Sequence, residues 1–253
     1  MPVAQHEPST SGAPLVRSQR ALFFGAAGLL VAGEGVFWVV LAAVQSNSGL
    51  AAWDGPVHDG LAASRNTLAT AALAAVATVT SPWWLTVTGA AVAAAWGIWR
   101  RELWRPALLA GAMAATLGLS TFIQHQVNRA RPSAGGFLLG PDDGLSFPSG
   151  HTLSAGVFLL VLTYLLVSGR RKSPTAVLAV AAASSGTLVV ALSRIYLGYD
   201  WLTDVLAAVG LTVAVVGCVI LADGLRAASR AVPEAPRPGR HGRGAASGAA
   251  RPS

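Results

Sequence analysis

The sequence predicts an all-α, polytopic membrane bundle of six transmembrane helices, on three observations. Hydrophobic residues make up 53% of the 253 residues and charged residues only 11%, and the mean hydropathy is +0.54, far outside the usual range for a soluble globular domain. The apolar residues fall in runs of about 20, the length a helix needs to cross a bilayer. The basic residues, 17 arginines and one lysine, cluster in short loops and tails.

The first apolar run, residues 21–44, is broken only by Glu34. A cleaved signal peptide would have a shorter apolar region and a more basic lead-in, so this segment reads as a retained helix. A carboxyl group is costly in lipid, and Glu34 is therefore expected to face other helices or the site, in a structural hydrogen bond. Residues 45–65 form a loop carrying Asp54, His58, Asp59 and Arg65. Residues 66–80 are rich in Ala, Thr and Leu, short for a span and closed by Ser81-Pro82, which predicts an interfacial or half-crossing helix. Spans at about 82–99, 106–127, 152–168, 175–193 and 203–223 bring the crossings to six. Residues 1–20 and 226–253 read as disordered cytoplasmic termini around a transmembrane domain over 21–225.

With six spans, alternate connections share a side, and the arginines decide which side is cytoplasmic. Both termini, the Arg100-Arg101-Arg105 loop and the Arg170-Arg171-Lys172 loop fall together, so a plasma-membrane protein would keep them inside. Only Arg65, Arg129, Arg131 and Arg194 lie opposite, among Asp54, Asp59, Asp142, Asp143, His151, Asp200 and Asp204. Those arginines run against the sorting rule, and an anion bound at the extracytoplasmic surface would account for them. The net charge of +7 thus reads as topology, and neither it nor the Gly-Arg tail calls for a nucleic-acid partner. Cys218 is the single cysteine and sits in an apolar run, which excludes an intrachain disulfide or a cysteine-based metal site. Asp142 and Asp143, adjacent in a loop, read as solvated. Trp53, Trp83, Trp84, Trp99, Trp104 and Trp201 stand near span ends, where indole rings settle at the interface.

Three stretches meet on the outer side. Gln124-His125-Gln126-Val127-Asn128-Arg129-Ala130-Arg131-Pro132 closes the third span; if the helix persists, Gln124, Asn128 and Arg131 share a face, with His125 and Arg129 beside it. Ser146-Phe147-Pro148-Ser149-Gly150-His151 leads into the fourth span, where first-turn amides are free to point at an anion. An ordinary serine N-cap is the plainer reading of that turn. Ser193-Arg194 through Asp200-Trp201-Leu202-Thr203-Asp204 opens the last span, and Asp200 and Asp204, four apart, are expected on one helical face. Two arginines, helix-mouth amides, a histidine and a carboxylate make an anion site with a proton donor. Phosphate suits it, because the planar guanidinium matches phosphate oxygens two at a time and His151 can protonate a departing alkoxide. A membrane lipid phosphate would place its head in the polar mouth and its tails among the helices.

In these three blocks the chain resembles the type 2 phosphatidic acid phosphatase (PAP2) superfamily, whose signature is Lys-x6-Arg-Pro, Pro-Ser-Gly-His and Ser-Arg-x5-His-x3-Asp. The resemblance covers roughly residues 50–222. It implies that Arg131, Ser149, Gly150 and Arg194 bind phosphate, that His151 is the general acid, that Asp204 stands where a carboxylate orients the nucleophilic histidine, and that hydrolysis needs neither metal nor cofactor. Two positions depart from it: Gln124 replaces the lysine, and Asp200 replaces the nucleophilic histidine. The pocket is thereby about two charges less cationic, a multi-kcal/mol matter near a buried anion. Three routes stay open. Asp200 attacks phosphorus or activates water; His125 substitutes from a neighbouring helix face; or the protein is a catalytically silent homologue that binds a phospholipid head group. A transporter is disfavoured, since no inverted repeat or polar intramembrane path is visible beyond Glu34.

Overall fold

The computed structural model describes residues 13–132, 138, 144–170 and 173–231, and every regular element among them is helical. The expectations for Asp142, Asp143, Arg171, Lys172 and most of both termini fall outside the described residues. The helices are α1 (Ala13–Ser46), α2 (Asp54–Ala63), α3 (Thr67–Val79), α4 (Pro82–Arg100), α5 (Trp104–Val127), α6 (Gly150–Val167), α7 (Pro174–Tyr196) and α8 (Leu202–Ala231), with short 3-10 turns at Gly49–Trp53 and Ser168–Arg170. Here α1 begins before, and α8 ends after, the expected span. Arginine and alanine propagate a helix well in water, so the polar flanks need not end it.

Helix starts follow the local chemistry. Asn66, Ser81, Ser149 and Ser173 each accept a backbone N–H of the first turn through the side chain, and Pro82 and Pro174 fill first-turn positions where a missing N–H costs nothing. Three helices end on a non-glycine residue of positive φ, α1 at Asn47 (φ 48°), α4 at Arg101 (φ 51°) and α5 at Asn128 (φ 49°).

Among the described residues five helices are long and apolar enough to cross a membrane: residues 20–46, α5, α6, α7 and residues 202–230. The sixth candidate is α3 with α4, bent by 51° at the Thr80-Ser81 break. Contacts show which half of that pair crosses. At the start of α3, Asn66 N–H donates to the Tyr196 hydroxyl (2.9 Å) and Arg65 Nε to the Tyr196 carbonyl (2.8 Å). At its far end Pro82 lies against Gly150, where an added Cβ would stand 3.5 Å from Pro82 Cγ. Both ends of α3 therefore sit at the same end of the bundle, and α4 makes the crossing, as the short 66–80 segment led one to expect.

The buried centre is α6, where Leu153, Val157, Val161 and Leu165 are inaccessible. Helices α1 and α8 pack antiparallel through glycine. A Cβ on Gly33 would come within 2.5 Å of Ala214 N and Gly210 O, and one on Gly217 within 2.8 Å of Ala26 O and Leu30 N. Lipid supplies no hydrophobic drive for this pairing, so backbone proximity and dispersion hold it. Glu34 makes a structural hydrogen bond, as expected, accepting from Trp38 Nε1 (3.1 Å) one turn along its own helix. At the end of the bundle where α4 meets α5, Asp223 accepts from Trp104 Nε1 (3.0 Å) and the Tyr164 hydroxyl (2.9 Å), and the Arg226 guanidinium lies 4.2 Å from the Trp104 ring centre. Trp104 is thus an internal strut; Trp53, Trp83, Trp84 and Trp99 are exposed, as interfacial anchors would be.

Overpacking the α1–α8 contact should separate the two helices. Gly210→Leu is expected to lower stability by about 1–3 kcal/mol or more, read as a fall in melting temperature of the detergent-solubilised protein, whereas Gly111→Leu, at a position open to the outside, should leave it unchanged.

Candidate active site

The site is assembled at one end of the bundle, where the 144–149 turn is stitched to its neighbours on three sides. Ser146 N–H donates to the Arg129 carbonyl (3.0 Å), Ser149 N–H to the Asp204 carbonyl (3.1 Å), and Gln124 Nε2 to the Pro148 carbonyl (3.2 Å). Phe147, fully buried, packs against Phe37 with ring centres 6.0 Å apart, and the Phe147-Pro148 bond is cis. Ser149 then caps α6, accepting from Thr152 N–H, which sets Gly150 and His151 in the first turn of that helix. His151 is half-buried there.

Three donors from three separate segments converge on one carboxyl group. Arg131 Nη1 reaches Asp200 Oδ1 at 2.6 Å, Arg194 Nε reaches Asp200 Oδ2 at 3.1 Å, and Ser149 Oγ lies 2.7 Å from Oδ2. A carboxylate only accepts, so the Ser149 proton is directed at Asp200; Thr152 Oγ1 stands 2.9 Å from the same serine oxygen. Arg131 Nη1 also donates to the Tyr199 carbonyl (2.7 Å), and the Arg194 guanidinium lies 4.6 Å from the Tyr199 ring centre. Arg194 is 3% exposed, and its Nη2 is buried without a hydrogen-bond partner.

A second cluster adjoins the first and contains residues the sequence reading left aside. Arg129 Nη1 donates to Asp204 Oδ1 (2.6 Å) and Thr203 Oγ1 (2.7 Å), and its Nη2 to Asp54 Oδ2 (2.6 Å). Asp54 in turn accepts from Thr203 N–H (2.9 Å) and the Thr203 hydroxyl (2.7 Å), so the short helix α2 caps the start of α8. The other Asp204 oxygen accepts from Trp201 N–H (2.8 Å), the reciprocal half of a capping box at the α8 N-terminus. Trp201 closes this cluster: its Nε1 donates to the Ala130 carbonyl (3.0 Å), Arg129 lies 5.6 Å from its ring centre and the His58 ring 5.7 Å away. It is a wall of the site rather than a bilayer anchor. The signal for Arg129 was present in the sequence as a basic residue on the wrong side of the arginine sorting.

Two expectations about helix faces are corrected. α5 stops at Val127 and Asn128 turns left-handed, so Gln124, Asn128 and Arg131 are not aligned on one helix; the turn carries Arg129 and Arg131 inward instead. α8 begins at Leu202, so Asp200 precedes it in the connection from α7 and does not stack on Asp204. His125 is exposed, while Gln124 points at the turn. Of the proposed site residues, Arg131, Ser149, Arg194 and Asp200 meet at one point, Gln124 and Gly150 flank it, and Asp204 serves Arg129.

Among the described residues three guanidinium groups thus face three carboxylates, Arg129 pairing with Asp54 and Asp204, and Asp200 with both Arg131 and Arg194. Burial alone would raise the Asp200 carboxyl, but Arg194, Arg131 and the Ser149 bond outweigh it and hold the group below its usual range. A depressed carboxyl contributes stability above its unfolded value, near 3.9, and loses it only as pH falls through the lower folded value. Asp200→Asn takes a negative charge away from buried Arg194 and half-buried Arg131 and should cost on the order of 3 kcal/mol. The melting-temperature gap to the unaltered protein should stay level from about pH 5 to 8 and narrow below about pH 4.

Residues 105–226 match the PAP2 superfamily model. The crystal structure described as the first transmembrane PAP2 type phosphatidylglycerolphosphate phosphatase from Bacillus subtilis is similar in fold, with a TM-score of 0.65 at 20% sequence identity, covering 81% of this chain and 99% of that one. No curated protein matches the sequence. With the six-crossing bundle and the three blocks brought to one end of it, these findings make the chain a multi-pass membrane protein with a PAP2-type fold, matched to the PAP2 superfamily over residues 105–226.

Proposed function

We propose that the protein is an integral membrane lipid phosphatase, acting at the extracytoplasmic face of the plasma membrane on a lipid phosphate or pyrophosphate of the phosphatidic acid or undecaprenyl pyrophosphate type. One observation carries the reading: Arg131, Arg194 and Ser149 converge within 3.1 Å of the two oxygens of a single acidic group. Two oxygens on one centre, gripped by two guanidinium groups and a hydroxyl, is how a phosphoryl group would be held. Gly150 and Gln124 flank that grip, and His151 in the adjoining turn is the proton donor this reading assigns to the departing alkoxide. Asp204 holds Arg129 and the start of α8, and thereby the Asp200 connection. The face follows from the arginines: Arg100, Arg101, Arg105 and Arg226 gather at the opposite end, which the sorting rule keeps in the cytoplasm with both termini. The similar solved protein is named for a phospholipid phosphomonoester, which favours a ligand of that kind.

A second reading has its own observation. Asp200 stands where the family places an imidazole nucleophile, and both its oxygens are already engaged. A carboxylate attacking an anionic phosphoryl group needs strong neutralisation, so a homologue that binds a phospholipid head group without cutting it is the alternative.

Purified protein offered a panel of lipid phosphates and pyrophosphates should release phosphate, and His151→Ala should slow release about 100-fold or more, the usual reach of a general acid. Equal release by the two proteins would end the hydrolytic assignment to this pocket, and specific lipid binding with no turnover would establish the silent one. Restoring the family's charge and nucleophile with Gln124→Lys and Asp200→His together should raise turnover.

A further inference from the structure

We infer that Asp200 is a built-in anion that occupies the phosphoryl position itself, so that the unaltered pocket is closed to phosphate dianions and opens only when this side chain swings out. The inference rests on the reading of the pocket as a phosphoryl site and adds what governs entry to it.

The argument begins with the donors. Arg131 Nη1, Arg194 Nε and Ser149 Oγ are spent on Asp200 at 2.6, 3.1 and 2.7 Å. A ligand phosphoryl group needs these same atoms, and the two anions cannot share them at hydrogen-bond distance without carrying like charges into contact in a buried place. Asp200 is 1% exposed and Arg194 3%, so water does not screen the competition. The backbone gives Asp200 no escape: Tyr199 N–H and Asp200 N–H both point at the Arg194 carbonyl, at 3.0 and 3.4 Å. Withdrawal is therefore a side-chain rotation between staggered wells, not a loop opening.

A second observation points to a ligand beyond Asp200. Arg194 Nη2 is buried with no hydrogen-bond partner, an arrangement that costs free energy and that an additional acceptor would relieve. Asp200 has only two oxygens and gives them to Arg131, Arg194 Nε and Ser149; a phosphoryl group brings a third. Asp200 is thus an incomplete occupant, well placed to hold the cationic pocket together when empty and to be exchanged for a better anion. The neighbouring Arg129 does not relax this balance, because Asp54 and Asp204 already neutralise it.

The test is equilibrium binding of inorganic phosphate, with orthovanadate as a second probe, to the full chain in detergent at neutral pH. Asp200→Asn, of the same shape but neutral, and Asp200→Ala should bind phosphate at least tenfold more tightly than the unaltered protein, and phosphate should restore part of their lost melting temperature. Arg131→Gln added to Asp200→Asn should remove the gain, which locates it here. Equal affinity in the unaltered protein and both variants would overturn the inference and leave the phosphoryl site standing. No binding by any of the three would remove the phosphoryl site and the inference with it. Submillimolar phosphate binding by the unaltered protein overturns it without recourse to a variant, and so does not depend on how well the variants fold.

Discussion

The ion pairs between Asp200 and the two arginines, Arg131 and Arg194, are the constraint from which the rest of this end of the molecule follows. Arginine cannot shed its proton in a protein interior, so buried Arg194 and half-buried Arg131 demand a negative charge beside them at all times. The α7–α8 connection supplies it, and to do so it must be short and pinned: Tyr199 and Asp200 fold back on the Arg194 carbonyl, and α8 starts directly after. The start of α8 is then held by Asp204 within the helix and by Asp54 from outside it. Arg129 joins these two carboxylates, which explains why α5 must end in a left-handed turn at Asn128 rather than run on as a straight helix.

This dependence recasts the two departures from the family pattern. Judged by sequence, Gln124 and Asp200 are losses, of a cation and of a nucleophile. In the folded protein Gln124 steadies the Pro148 carbonyl, and Asp200 gives the arginines a permanent partner. Among its described residues the pocket sets three positive groups against three negative ones, so the arginines have partners within the fold. A site of that kind can persist in an unoccupied state, which a pocket of bare arginines in low dielectric could not do cheaply.

Much of this was open to reading from residues alone. Span number and approximate extent follow from hydropathy, because a bilayer imposes length and apolarity on every crossing. The meeting of Arg131, Ser149, Arg194 and Asp200 was implied by three motif blocks falling at span ends on one side. Details of direction were hidden for a physical reason: a helix continues or stops according to a few backbone angles at its cap, and Asn128 at φ 49° is such a stop. Extending α5 through it put Arg129 and Arg131 on separate faces of a helix that does not exist. Trp201 and Trp104 were misread by a neighbouring cause. Tryptophan at a span end suits both an interface and a hydrogen-bonded strut, and only the presence of Ala130 O and Asp223 opposite the two indoles decides.

The bent pair formed by α3 and α4 has a consequence for the shape of the protein within its bilayer. Because α2 and α3 both lie at the site end without crossing, that end carries two helices more than the middle of the bundle. The protein is therefore richer in helix at the site end than through its middle, and the two extra helices act as buttresses: Asp54 of α2 holds the start of α8, and Asn66, at the head of α3, holds the end of α7.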